Sequence, residues 1–263
     1  MSSPYADLNR PPLPRRLRVG GMWADVEVVR VTGSTSADLI AEARAGAPEG
    51  RVLVAEEQRA GRGRHDRTWS SPPRAGLTFS LLLRPAAPPV RWPLLPLLVG
   101  SAVAGELAQW VAGEVGLKWP NDVLIDGRKV AGILAETAGS AVVVGLGLNV
   151  STREAELPDA RSTSLQLSVQ ETVDRLPVLR AVLRAIERDY TAWNRNGGAP
   201  QTVLPDYRRR SSTLGRQVRV ELPDEAPVTG RAVAVDDAGL LVVETGAGQR
   251  SFAAADVEHL RPA

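Results

Sequence analysis

From residue 217 the chain runs QVRVEL, VTGRAVAVD, GLLVVE and QRSFAA at short intervals, separated by glycine or acidic turns. Short alternating segments at this spacing close into a small all-β barrel. No internal repeat carries that rhythm upstream. The chain therefore divides near residue 211, into a barrel domain over 212–263 and a larger domain over 23–211. Its 263 residues are enough for a large and a small core. Residues 1–22 are rich in proline and arginine, which deny the backbone a regular partner, and they read as a flexible leader.

Within 23–211 the pattern is mixed. A strand signal over 26–31 runs into TGSTSADLIAEARAG, where Ser34 or Thr35 can cap a helix that Gly46 ends. Strands follow over 51–55 and 77–83, and residues 101–115 have helical periodicity. The Asp126-Gly127 turn joins 123–125 to 129–136 as a hairpin. Residues 142–145 read as a buried strand opening onto GLGLNV, and 176–193 as a helix that accepts Pro177 in its first turn.

Several chemistries are excluded. The chain has no cysteine, so disulfides, thiolate nucleophiles and cysteine-ligated metals are absent. His65 and His259 are far apart, which argues against a zinc site. The N-terminus has no apolar core, and the run over 92–99 is short and broken by Pro93 and Pro96, so neither a signal peptide nor a membrane span is expected. A cytoplasmic location follows as the default. A net charge of +2 does not imply nucleic-acid binding.

Of 32 basic side chains only two are lysines, Lys118 and Lys129, and both lie in GLKWPNDVLIDGRKVAGIL. Lysine offers a compact charge for one oxygen where arginine offers a planar fork; compositional drift is the competing explanation. In KWPND, proline fixes the backbone and Asp122 can orient an amine or accept its proton, although the segment also serves as a plain turn into the hairpin. For Lys118 an edge-strand ion pair competes with a direct role. GRGRHDR, 61–67, combines glycines that let an anion approach with arginine donors, or is a solvated loop. It lacks the spacing of a Walker loop. Glycines in GLGLNV let a flat ligand lie against a strand, or mark a bulge, and Asn149 can meet a base edge. Trp69 stacks on an aromatic ligand or covers the loop.

Five segments stand together in order: TGST (32–35), EEQRAGRGR (56–64), KWPND (118–122), GRKVAGIL (127–134) and GLGLNV (145–150). In them the chain resembles the biotin protein ligases, from about residue 26 to its end. The resemblance implies an α/β (α+β) fold: a mixed-sheet catalytic domain like that of class II aminoacyl-tRNA synthetases, followed by an SH3-like barrel. It implies biotin and ATP as substrates, Mg²⁺ arriving with ATP and held mainly by its phosphates, and transfer of biotin to a lysine of a biotin carboxyl carrier domain. A monofunctional type is expected, a monomer or weak homodimer without a DNA-binding domain or nucleic-acid partner. Lipoate or octanoate ligation, and a non-enzymatic biotin-binding regulator, are the alternatives.

By the same resemblance, Ser34, Thr35 and Gln58 bind the biotin ring, and Gly61, Gly132 and Gly145 line its pocket. Arg62 and Arg64 close over the carboxylate and phosphates, and Lys129 contacts the carboxylate and α-phosphate. Trp69 and Asn149 help bind adenine; Asp122 orients the carrier lysine. Two departures are visible: Ser36 where the family commonly has asparagine, and Asp66 where it commonly has glycine.

Overall fold

The computed structural model describes residues 10–64, 67–222, 226–253 and 255–260. Two sheets organise it. The larger contains β1 (Arg16–Leu17), β2 (Asp25–Val29), β3 (Arg51–Ala55), β4 (Gly76–Leu83), β5 (Val115–Lys118), β6 (Asp122–Ile125), β7 (Arg128–Ala138) and β8 (Ala141–Asn149), in the order β1-β2-β3-β4-β8-β7-β6-β5. Only β2 and β3 run parallel. The smaller is antiparallel throughout: β9 (Gln217–Glu221), β10 (Val228–Val235), β11 (Leu241–Thr245), β12 (Gly248–Phe252) and β13 (Asp256–His259), in the order β12-β11-β10-β9-β13. The mixed α/β fold expected from sequence holds.

Among the described residues four α-helices complete the fold: α1 (Thr35–Arg44), α2 (Leu95–Leu107), α3 (Arg175–Arg195) and α4 (Leu204–Arg210). Helix α1 covers one face of the larger sheet, where Leu39 and Ala43 pack with Leu53, Leu82, Ala138, Ala141 and Val143. The other face carries the main core, in which β4 and β8 alternate: Leu77, Phe79, Leu81 and Leu83 on β4, and Val142, Val144, Leu146 and Leu148 on β8. With a period of two, this alternation leaves Thr78 and Ser80, and opposite them Gly147 and Gly145, on the α1 side. One face of these strands is therefore apolar, while part of the other is bare.

Two expectations change. Residues 10–22 are no flexible leader. Leu13 and Leu17 are buried, β1 pairs with β2, and the Leu13 amide donates to Glu56 Oε1 at 2.6 Å. Arg175 bonds the Pro11 carbonyl at 2.7 Å, and Arg10 Nη2 donates to Glu156 and to the Ser151 carbonyl, each at 2.7 Å. Side-chain cations thus supply the partners that a proline-rich backbone cannot find in a ladder. Residues 1–9 lie outside the described set. The helix expected over 101–115 is α2, which begins and ends earlier. Pro96 sits in its first turn, where a missing N–H costs nothing, so the proline initiates the helix.

Candidate active site

A cavity of about 340 Å³ opens on the α1 side of the larger sheet. Its floor follows from strand register: one row crosses four strands as Asp122, Gly132, Gly147 and Thr78, and the next crosses three as Leu134, Gly145 and Ser80. Three glycines in these rows leave space where side chains would stand. A Cβ at Gly147 would collide with the Trp69 indole, and one at Gly145 would lie 2.5 Å from Ser36 Oγ. Between the floor and α1 runs a polar network. Gln58 Oε1 accepts from the Thr35 amide at 2.8 Å and from its hydroxyl at 2.9 Å, and Ser80 Oγ lies 2.8 Å from Thr35 Oγ1 and 3.0 Å from Ser36 Oγ. Ser34 caps α1, accepting from the Ala37 amide at 3.4 Å. Ser36 belongs to this floor network and is not the cap.

Lys129 reaches the cavity through a bulge. The β6–β7 register shifts by one residue at Val130, so Val130 and Ala131 both enter the main core. Lys129 and Gly132, three apart, therefore share the opposite face: a Cβ on Gly132 would sit 3.3 Å from Lys129 Nζ. The ammonium pairs with Asp122 Oδ1 at 2.7 Å and stands 5.8 Å from the Trp69 ring centroid. Its backbone is clamped by residues 161–163, with Lys129 N donating to the Arg161 carbonyl and Thr163 N to the Lys129 carbonyl. Lys118 lines the same cavity; burial pushes its ammonium below the usual range, with Asp122 opposing that shift and Lys129 adding to it.

The arginine loop forms the opposite wall. Arg62 pairs with Glu136 at 2.9 Å, Arg67 pairs with Asp256, and Arg64 donates to the Ala255 carbonyl at 3.2 Å. Burial lowers the pKa of the Arg64 guanidinium, against the pull of Asp256 and Asp122. Its Nη2 is buried with no hydrogen-bond partner among the described residues, and so is Trp69 Nε1. This cationic donor lines the cavity that Lys118 and Lys129 also line, an arrangement suited to an anion.

Of the site residues expected from sequence, ten line this cavity: Ser34, Thr35, Gln58, Arg62, Arg64, Trp69, Asp122, Lys129, Gly132 and Gly145. Two do not. Gly61 lies behind the wall, where it accepts from the Trp69 amide at 3.0 Å and has no room for a Cβ. Asn149 is buried at the end of β8, its Nδ2 donating to the Thr163 carbonyl at 3.0 Å, so its amide secures the segment that clamps Lys129. Asp66 lies outside the described residues. Sequence reasoning missed Ser80, although a serine within the apolar run 77–83 was a visible signal. It also missed Arg161 and the wall built by Glu221, Asp256 and Glu258 from the smaller sheet. Among the described residues no cluster of three His, Cys, Asp or Glu side chains can hold a metal, and no helix is long and apolar enough to cross a membrane.

Residues 28–151 match the biotin/lipoate A/B protein ligase family, and 213–260 match the biotin protein ligase C terminal domain. The chain is 45% identical to a biotin–[acetyl-CoA-carboxylase] ligase of Mycobacterium tuberculosis, over 97% of this chain and 98% of that one. It is 33% identical to the bifunctional ligase/repressor BirA of Bacillus subtilis, over 88% of this chain and 72% of that one. A biotin protein ligase from Aquifex aeolicus, solved in complex with biotin and ATP, superposes with a TM-score of 0.75 at 28% identity, covering 89% of this chain and 99% of that one.

Proposed function

The chain belongs to the biotin protein ligase family, and on that premise we propose that this cavity carries out both half-reactions of biotin transfer. In the first, the biotin carboxylate attacks the α-phosphate of ATP, giving biotinyl-5′-AMP and releasing pyrophosphate. In the second, the amine of a carrier-domain lysine attacks the mixed anhydride, forming an amide and releasing AMP. Neither step needs a covalent enzyme intermediate, so positioning and charge carry the catalysis. The observation that carries this reading is the continuity of the cavity from the Thr35–Gln58 network to Lys129 and the unpartnered Arg64 Nη2.

The roles divide along it. Ser34, Thr35 and Gln58 hold the ureido ring, and Gly132 and Gly145 supply its floor. Arg62 and Arg64 exchange their protein partners for the carboxylate and phosphates. Lys129 neutralises the charge that gathers as pyrophosphate leaves. Trp69 lies against adenine, and Asn149 contributes by fixing the 163–165 segment. Asp122 orients the incoming amine of a biotin carboxyl carrier domain. Magnesium would enter with ATP, held mainly by the phosphates, and would supply charge neutralisation there.

Gly145→Ala is expected to raise the biotin Kd by about tenfold or more, since the new methyl meets Ser36 Oγ and overpacking costs roughly 1–3 kcal/mol. Isothermal titration reads it; an unchanged Kd removes Gly145 from the pocket. The reaction itself is tested by exchange of labelled pyrophosphate into ATP without carrier, comparing biotin, lipoate and octanoate. Exchange with biotin alone is expected. Exchange with lipoate or octanoate instead assigns another acid, and binding of biotin without exchange leaves a regulator.

A further inference from the structure

Trp119 and Asn121, in the middle of the segment 118–122, are both tethered, and the two tethers on Trp119 come from the C-terminal unit. Asn121 is held within the larger sheet: its Nδ2 donates to the Ile133 carbonyl at 2.9 Å, and its own carbonyl accepts from the Ile133 amide at 2.9 Å. Trp119 is held from outside that sheet. Its indole Nε1 donates to the Gly239 carbonyl at 3.0 Å, and its backbone N–H donates to Thr213 Oγ1 at 3.0 Å. Thr213 Oγ1 in turn lies 3.1 Å from His259 Nε2.

The direction of this chain is fixed by proton counting. Thr213 is fully buried, so its hydroxyl proton has no water to meet. With one lone pair taken by the Trp119 N–H, the arrangement that satisfies every polar atom sends the hydroxyl proton to His259 Nε2. His259 is then a neutral acceptor with its own proton on Nδ1. The groups facing it favour that state. Lys118 on β5 and Arg216 ahead of β9 are both cationic, and burial with these charges pulls the imidazole down to about 4. A protonated His259 would point a second N–H at Thr213 Oγ1 and strand the hydroxyl proton.

We propose that Thr213 and His259 are positioning residues for the reaction, acting as a two-residue brace from the C-terminal unit that fixes the Trp119 backbone and so sets Lys118 and Asp122 on either side of it. The brace joins the two ends of the smaller sheet's chain, since Thr213 precedes β9 and His259 ends β13. It gives the C-terminal unit a task in the chemistry, through a backbone amide and with no contact to substrate. This inference rests on the reading that residues 118–122 serve biotin transfer.

The test compares Thr213→Val, which keeps the shape and removes the hydroxyl, with Thr213→Ser, which restores it. Misplacing a reacting group by about 1 Å costs up to roughly 10²-fold, so Thr213→Val is expected to lower kcat for carrier biotinylation by about tenfold. The biotin Kd should stay within about twofold, because Thr35 and Gln58, which hold the ring, bond each other and not Trp119, Thr213 or His259. Thr213→Ser should recover the rate. An unchanged kcat, equal losses of kcat and biotin affinity, or no recovery with serine overturns the proposal. Since the chain has only two histidines, long-range ¹⁵N–¹H spectra resolve His259 against a His65→Gln variant. A neutral ring with its proton on Nδ1 at pH 6 is expected; a cationic ring at pH 6 overturns the brace. Absence of biotinylation by the unchanged chain would instead count against the proposed function.

Discussion

Lys129→Ala is expected to slow biotinyl-adenylate formation by on the order of 10²–10³-fold, the loss typical when one preorganised charge facing a developing anion is removed. Lys129 is placed for that role by the Val130 bulge and by the backbone clamp from residues 161–163, both of which survive side-chain truncation. Its side chain is 34% exposed, so folding loses little: the pair with Asp122 is partly solvated and worth at most about 1 kcal/mol. A single-turnover experiment with biotin and ATP reads the rate, and a thermal melt confirms the fold. Adenylation at the unchanged rate would remove Lys129 from the first half-reaction. Lys129→Arg should recover only part of the rate, because the planar fork does not reproduce a compact charge held over Gly132.

The largest stability effect is expected away from the cavity mouth. Arg175 and Glu56 form an ion pair at 2.8 Å with side chains 5% and 7% exposed. Arg175 also donates to the carbonyls of Gly76 and Pro11, and Glu56 accepts from the Leu13 amide. The pair thus joins the N-terminus of α3, the end of β3, the start of β4 and the strap over residues 10–17. Arg175→Ala leaves a carboxylate buried without its cation, which costs roughly 3–5 kcal/mol. At about 2–4 °C per kcal/mol for a chain of this size, the melting temperature should fall by on the order of 10 °C. Combining Arg175→Met with Glu56→Gln should recover part of the loss, since neither partner is then left charged and alone. A melting temperature unchanged in Arg175→Ala would show that the strap and the pair contribute nothing to stability.

Much of this was legible in the sequence where local chemistry decides the structure. The strand over 51–55, the Asp126-Gly127 hairpin and the helix after TGST each announce themselves by apolar periodicity, turn type or cap, and of the two cap candidates, Ser34 and Thr35, the structure takes Ser34. The five motifs, standing in order, pointed to the family that the comparisons show. What escaped was set by tertiary partners. The strap over 10–22 has the composition of a loose leader, and only arginines and a carboxylate distant in sequence reveal it as packed. The last strand, β13, is short and polar and exists by pairing with β9. The resemblance implies an adenine contact for Asn149, and its spacing gives no sign that its Nδ2 donates to the Thr163 carbonyl. No pattern of spacing shows that Val130 is extra in its ladder, and without that bulge Lys129 would project into the core.

The most direct test of the two-step mechanism loads the protein with labelled biotin and ATP, removes the free nucleotide, and then adds a biotin carboxyl carrier domain. A non-covalent, acid-labile adenylate should accumulate at about one equivalent per chain, as a cavity that sequesters its intermediate implies. On addition of the carrier the label should move to a carrier lysine without further ATP, releasing one AMP per biotin transferred. Label covalently attached to the protein itself, or transfer that requires fresh ATP, would contradict this mechanism.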